Sequence, residues 1–565
     1  MTTLLLGPAL RHVDTESATV WVETDAPCTV EVVAAGRQAQ EPTFCVAGHH
    51  YALVCLDGLS AASTYEYEVR LDDEVVWPHP GSRYPPSRIR TVDPSRPFSL
   101  VFGSCRYATV KAVENDDHYD LDALDAFAIR MAGLPEDRWP DALLLVGDQV
   151  YADTTTEETQ QFIAARRDIS QPPYTEVADF EEYTRLYHES WTDPDVRWLL
   201  STVPSSMIFD DHDVRDDWNT SHAWRVEIQQ TSWWEERITG GLMSYWIYQH
   251  LGNLSPSALA ADELYQRVRD AEDAEPLLRE FAQAADREAD GAKGARWSYR
   301  RDFGRVRLLV IDSRCGRVLR GRRSMVSEPE FDWIEEQVQG ECDHLLIGTS
   351  LPWLMPRALH DLESWNEVIC DGGSGRAMAW LGEQMRRGAD LEHWAAFRES
   401  FDRLGWLLAR VGRGEHGAEP PSTVCVLSGD VHHAYAARAN FPEPMRSKIY
   451  QLTCSPLHNY VPKPMHWAFR LAWSRVAERS VRWLLAPISK VPPLTLTWDR
   501  LSGPYFGNEI ATLTLDGRAA RALLEKAGAG DDGKPLLTTV AAIPLATPSR
   551  DNHSSRRPAS RAPAP

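Results

Sequence analysis

The sequence predicts an α/β fold with a small all-β sandwich in front of it. Three observations carry this. Up to about residue 95, short segments alternate apolar and polar side chains and are broken by turns. From about residue 98 the apolar runs no longer alternate, and helical stretches separate several of them. Four of those runs end in Asp, His, Cys or Tyr.

In the first region, "SATVWVET" (17–24) alternates, with Ala18, Val20 and Val22 on one face. "CTVEVV" (28–33) follows a short turn, and "YEYEVRL" (65–71) alternates strictly. Short strands with turns every ~8–12 residues indicate a β-sandwich. "LSAASTYEYEV" resembles the corner of a fibronectin type III domain, with Tyr65 as its corner tyrosine. Proline-rich "WPHPGSRYPPSR" and "DPSRP" mark a linker, which ends a domain spanning 1–95.

Seven apolar runs follow: "FSLVFGSC" (98–105), "DALLLVGDQVYAD" (141–153), "SMIFDDHD" (206–213), "VRLLVIDSR" (306–314), "HLLIGTSLPW" (344–353), "TVCVLSGDVHH" (423–433) and "IYQLTCSP" (449–456). Runs without alternation fit strands buried on both faces. Helical patterns lie at 119–132, 178–191, 329–339 and 392–412. The second domain is expected over 96–545. A Trp-rich helical insertion over about 222–296 should cap its sheet. Residues 463–490 form a basic amphipathic stretch, which reads either as a lid or core helix or as a weak membrane contact. Residues 546–565 hold no large apolar side chain and should be disordered.

At 565 residues the chain fits about two to four domains. A net charge of -23 argues against a nucleic-acid-binding surface, and an anionic substrate would need local cations. The nine cysteines form no CxxC pair, which suits a reducing compartment better than a disulfide framework or a zinc knuckle. The N-terminus has no basic segment ahead of its short apolar run, and no run of 18 apolar residues occurs. A cytoplasmic location is expected.

In open α/β sheets, sites form where strands end. Taken singly, each strand end has a bland alternative. Cys105 after "FGS" reads as buried filler, and Asp148 in "GDQVY" or Asp430 in "GDVHH" as a turn former. "MIFDDHDVRDDWN" (207–219) reads as a solvated loop. Jointly, Cys105, Asp148, Tyr151, Asp211, Asp430 and His432 are the side chains that bind hard or borderline cations.

The ordered set "GSC", "GDQVYAD", "DDHD" and "GDVHH", with "IDSR" at 311–314, resembles the PhoD-like metallophosphatases, the alkaline phosphatase D group of the metallophosphoesterase superfamily. With the sandwich included, the resemblance spans most of residues 1–460. It implies a four-layer αββα sandwich and a cluster of ferric iron and calcium that hydrolyses phosphate esters. Manganese or magnesium could replace the calcium. Carried over, Cys105, Asp148, Tyr151 and His432 would hold the iron. Asp148 would bridge to the second cation, with Asp430 and Asp211. His212 would be the acid, oriented by Asp213, with Asp210 also in support. Family members commonly place an Asn pair after the DDH unit. Here Asp216 and Asp217 stand there, with Asn219 beyond; which of the three reaches the cluster stays open, with Asp217 carried in the metal set. Secreted members carry a twin-arginine signal, and none is visible here.

The implied reaction is in-line attack on a small phosphorylated substrate by metal-bound hydroxide, with His212 protonating the leaving oxygen. Arg106 and Arg314, each just past a strand end, would hold phosphate. Two rivals remain: an iron oxygenase, disfavoured by the lack of a 2-His-1-carboxylate spacing, and a non-catalytic protein that docks a partner through its sandwich. The sequence does not choose between monoesters and diesters.

Overall fold

The computed structural model describes residues 2–108, 119–291, 295–372, 375–416, 419–485, 487, 489, 492–530 and 533–547. Most of the tail expected to be disordered lies outside them.

The N-terminal region holds strands β1 (Leu4–Val13), β2 (Ser17–Thr24), β3 (Thr29–Ala34), β4 (Arg37–Pro42), β5 (Phe44–Val46), β6 (His49–Asp57), β7 (Thr64–Leu71), β8 (Glu74–Trp77) and β9 (Arg88–Arg90). They form two sheets, ordered β1-β2-β6-β5 and β4-β3-β7-β8, with β9 paired to β7. Val20, Val22, Val30, Val32, Val54 and Val69 fill the space between them. The Tyr65 hydroxyl accepts from the Ser60 amide at 2.9 Å, a corner contact of the kind the local sequence suggested.

Strand β2 is buried on both faces, although its alternation suggested one. On its second face Trp21 packs on Trp191, at the end of the helix Phe180–Trp191, and on Tyr248 of the helical insertion. The insertion runs as short helices from His222 to Asp290. It does more than cap a sheet. It wedges between sandwich and sheet, and buried Arg11 of β1 donates to the carbonyls of Tyr248 (3.2 Å) and Gln249 (2.7 Å).

The remaining strands are β10 (Phe98–Gly103), β11 (Ala142–Val146), β12 (Ser205–Ile208), β13 (Tyr299–Phe303), β14 (Val306–Val310), β15 (His344–Gly348), β16 (Thr423–Ser428), β17 (Ala434–Asn440), β18 (Lys448–Thr453), β19 (Thr497–Tyr505), β20 (Glu509–Asp516), β21 (Ala519–Ala529) and β22 (Pro535–Ala546). All seven apolar runs are strands. They build two facing sheets, β12-β11-β10-β20-β21-β22 and β13-β14-β15-β16-β18-β17-β19, in a four-layer αββα sandwich. Strands β10, β11 and β12 are parallel to one another, as are β14, β15, β16 and β18. Their carboxyl ends therefore meet along one edge. Strand β19, antiparallel to β17, and the antiparallel run β20-β21-β22, absent from the sequence reading, complete the two sheets.

A candidate metal centre at the strand ends

The loops after β10, β11, β12 and β16 converge because glycines let the strand ends touch. A Cβ on Gly429 would collide with Ser104. One on Gly147, whose φ is +139°, would sit 3.0 Å from the Ser104 Cβ and 3.6 Å from the Cys105 Sγ. In these loops the backbone is strained. Cys105, Asp217, Asn219, Asp430 and His432 all adopt positive φ, which non-glycine residues rarely do. Such strain collects where a side chain must be aimed rather than merely accommodated.

Asp148 lies at the centre. It is 1% exposed, and both its carboxylate oxygens are buried without a hydrogen-bond donor. Ligand oxygens of Asp148, Asp210 and Asp211 fall within 4.8 Å of one another, and so do atoms of Asp211, His212 and Asp216. One oxygen each of Asp210, Asp211 and Asp217 is also buried without a hydrogen bond, that of Asp211 lying at ion-pair distance, 3.2 Å, from Arg314. Burial, with Asp430 nearby, raises Asp148 to about 6 despite His212 and Arg314. Burial also raises Asp210 and Asp217 to about 8. Cys105 is buried beside Asp148 and Asp430, and burial first, then those two charges, push its thiol far up. The Tyr151 hydroxyl, beside Asp148, accepts from Asn459 at 2.8 Å. Burial holds His432 neutral, lowered to about 4.

A buried carboxylate without a donor is costly. Several together also repel, so a cation is the charge that fits this donor set. The carboxylates of Asp148, Asp210 and Asp211, with the Cys105 thiol and the Tyr151 phenol beside Asp148, are donors that suit a metal ion.

His212 stands at the rim, with 24% of its side chain exposed. Its Nδ1 lies 2.9 Å from both oxygens of Asp153, and its Nε2 lies 3.8 Å from Asp216. Burial lowers its pKa, but Asp153 and Asp211 outweigh that and raise it well above the ordinary value. The orienting partner is therefore Asp153 of "YAD", not Asp213 as expected. Asp213 instead accepts from the amides of Gln149 and Val150 at 3.3 Å and of Asp210 at 3.0 Å, which ties the loops together. Asp210 is not merely a support, since it joins Asp148 and Asp211. Among the three residues left open, Asn219 is occupied by Arg225 and by the Arg314 carbonyl. Asp216 sits beside His212, and Asp217 keeps a free oxygen.

Both arginines depart from their expected role. Arg106 is 3% exposed. Its Nε pairs with Asp122 at 2.7 Å, and its remaining nitrogens meet Asp125 at 3.3 Å and the Ser190 carbonyl at 3.0 Å. It has nothing left to offer a phosphate. Arg314 is fully buried. It pairs with Asp210, with Glu392 at 2.5 Å and with Asp211 at 3.2 Å, and lies 3.7 Å from Asp430. It balances the acidic cluster from within and does not reach outward for a substrate.

Sequence reasoning missed Glu392 and His393. His393 Nδ1 lies 2.8 Å from Glu363, and Nε2 lies 3.2 Å from Asp430, at ion-pair distance but without hydrogen-bond alignment. Burial pushes Asp430 up, yet His393 and Arg314 together hold it below the usual carboxylate range.

Residues 129–466 match the family model described as PhoD-like phosphatase, and residues 1–89 match a domain of unknown function, DUF7800. No curated protein matches the chain. A solved structure described as "Structure of PhoD" superposes with a TM-score of 0.56 at 12% identity, covering 95% of this chain and 89% of that one. A purple acid phosphatase from yellow lupin seeds (Lupinus luteus) aligns at TM-score 0.46 and 11% identity, over 94% of this chain and 74% of that one. The family model spans more than half of the 565 residues, and the chain belongs to the PhoD-like phosphatase family.

Proposed function

We propose that the chain hydrolyses phosphoric esters, monoesters, diesters or both, at a two-cation centre. Cys105, Asp148, Tyr151 and His432 would hold ferric iron. Asp148, Asp210, Asp211, Asp217 and Asp430 would offer oxygen to a second ion, calcium in the first instance and manganese or magnesium otherwise. The observation that carries this reading is Asp148, a buried carboxylate with two donor-free oxygens facing two more carboxylates. Bound cations would supply Lewis-acid polarisation of the phosphoryl oxygens and acidify a water.

The chain's own residues do the rest. Asp153 fixes the His212 ring through Nδ1, so a proton on Nε2 points toward a leaving oxygen. Arg314 holds Asp210 and Asp211 at fixed separation and limits their mutual repulsion. Asp213 pins the β11 loop to the β12 loop, so the bridging carboxylate and the acid keep one relative position.

The test is turnover of a chromogenic monoester and a chromogenic diester, with and without chelator. The reading expects at least one ester to be hydrolysed, and chelator to stop it. Hydrolysis that survives complete metal removal would overturn it.

A further inference from the structure

Two helices outside the metal centre, Lys463–Ala472 and Arg475–Leu485, bury only Ala472 between them. Neither is a core helix. They leave large apolar side chains in solvent: Trp467 is 73% exposed and Trp483 76%, with Leu471, Val476 and Leu484 also exposed. Soluble proteins seldom display such a cluster without a use for it.

Cations are interleaved with these side chains. Lys463, Arg470, Arg475 and Arg479 are exposed, and no ion pair engages them among the described residues. Arg482 is committed to Asp361, and Glu478 to Arg357. On the second helix, Val476 and Trp483 form a stripe at helical spacing beside Arg475 and Arg479. On the first, Lys463, Trp467 and Leu471 do the same. The patch is basic, although the whole chain carries -23. The inner side is anchored: Phe469 stacks on His433 at 4.4 Å between ring centroids, and Trp473 packs edge-on against Tyr435 at 4.9 Å. His433 adjoins His432, so the patch lies just outside the metal centre.

We propose that this helix pair docks the protein on an anionic lipid surface. Tryptophan and aliphatic side chains would enter the headgroup boundary while the flanking cations meet lipid phosphates. A second copy of the chain fits less well, because a two-fold contact would set this basic patch against itself. The inference is independent of ester hydrolysis.

The full chain, sedimented with vesicles, tests it. Binding to vesicles of phosphatidylcholine mixed equally with phosphatidylglycerol should exceed binding to phosphatidylcholine alone by at least about tenfold, and should weaken with salt. The double variant Trp467→Ser/Trp483→Ser should lose it. Arg475→Glu with Arg479→Glu should weaken it by about tenfold or more. Both variants change exposed side chains and should turn over a soluble ester as the parent does. Equal binding to both vesicle types, or variants that bind like the parent, would overturn the proposal. So would a dimer of the parent that the tryptophan double variant splits, since the face would then belong to a second copy.

Discussion

Glu23 and Asp148 are both buried carboxylates, and they differ in what surrounds them. Glu23, at the junction of sandwich and insertion, is reached by His49 (3.3 Å), His188 (3.0 Å) and the Tyr248 hydroxyl (3.0 Å). Burial pushes it up, but hydrogen bonds from His188 and His49 outweigh that and hold it below the usual range. Asp148 has no donor on either oxygen and is raised to about 6. Burial alone therefore does not mark a site. A buried acid whose neighbours supply its donors is structural, and one whose neighbours are further acids awaits a charge from outside the chain.

Substitutions should separate the two. The largest effect is expected from Asp148→Asn, which should abolish turnover of both esters in a direct rate assay while the fold, read by circular dichroism, remains. His212→Ala should come next. It should slow an ester with a poor leaving group by about 10²- to 10⁴-fold and one with a good leaving group far less. Equal slowing of both, with the metals retained, would remove His212 as the acid. Glu23→Ala should do the reverse of Asp148→Asn. Removing the carboxylate that His188, His49 and the Tyr248 hydroxyl share, with His49 keeping Glu181, should cost about 1–3 kcal/mol in denaturant unfolding, and metal content should not change. Cys105→Ser should lower iron occupancy more than that of the second metal and remove any iron-dependent colour. A variant that kept its iron and absorption would make Cys105 buried filler.

The smallest effect is one of pH. Asp148 rises from 3.8 to about 6, and Asp210 to about 8. In the metal-free protein the folded chain therefore retains protons that the unfolded chain has released. That contribution to stability is present at about pH 4 and is lost as pH rises toward about 8, for Asp148 by about 3 kcal/mol at most. Glu23, with its lowered pKa, contributes in the opposite direction. Thermal unfolding across this range with chelator should show the loss, and added metal should reverse it. No change between the two conditions would argue against a cation at Asp148.

Much of this contrast was legible in the sequence. Unbroken apolar runs ending in "GSC", "GDQVY", "DDHD" and "GDVHH" gave both the sheets and the convergence, because parallel strands must bring like ends together. Partnerships were not legible. Arg106 and Arg314 read alike as free cations after strands, yet their partners Asp122 and Asp210 lie 16 and 104 residues away. Asp153 lies inside "GDQVYAD", but the family resemblance pointed to the adjacent Asp213, and a link across 59 residues to His212 is set by tertiary packing. Glu392 and His393 sit between helices with no strand ahead of them, so the strand-end rule passed over them. The strands from β19 to β22 carry no cluster of Asp, His, Cys or Tyr at their ends, so the strand-end rule did not reach them, although β20 alternates in burial over part of its length.

The most direct measurement is the metal content of purified parent and Asp148→Asn protein, taken side by side by elemental analysis. A carboxylate shared by two cations predicts that both metals fall together in the variant, while Glu23→Ala keeps the parent's content. Full occupancy of both metals in Asp148→Asn would contradict the central claim that this donor-free carboxylate is the bridge.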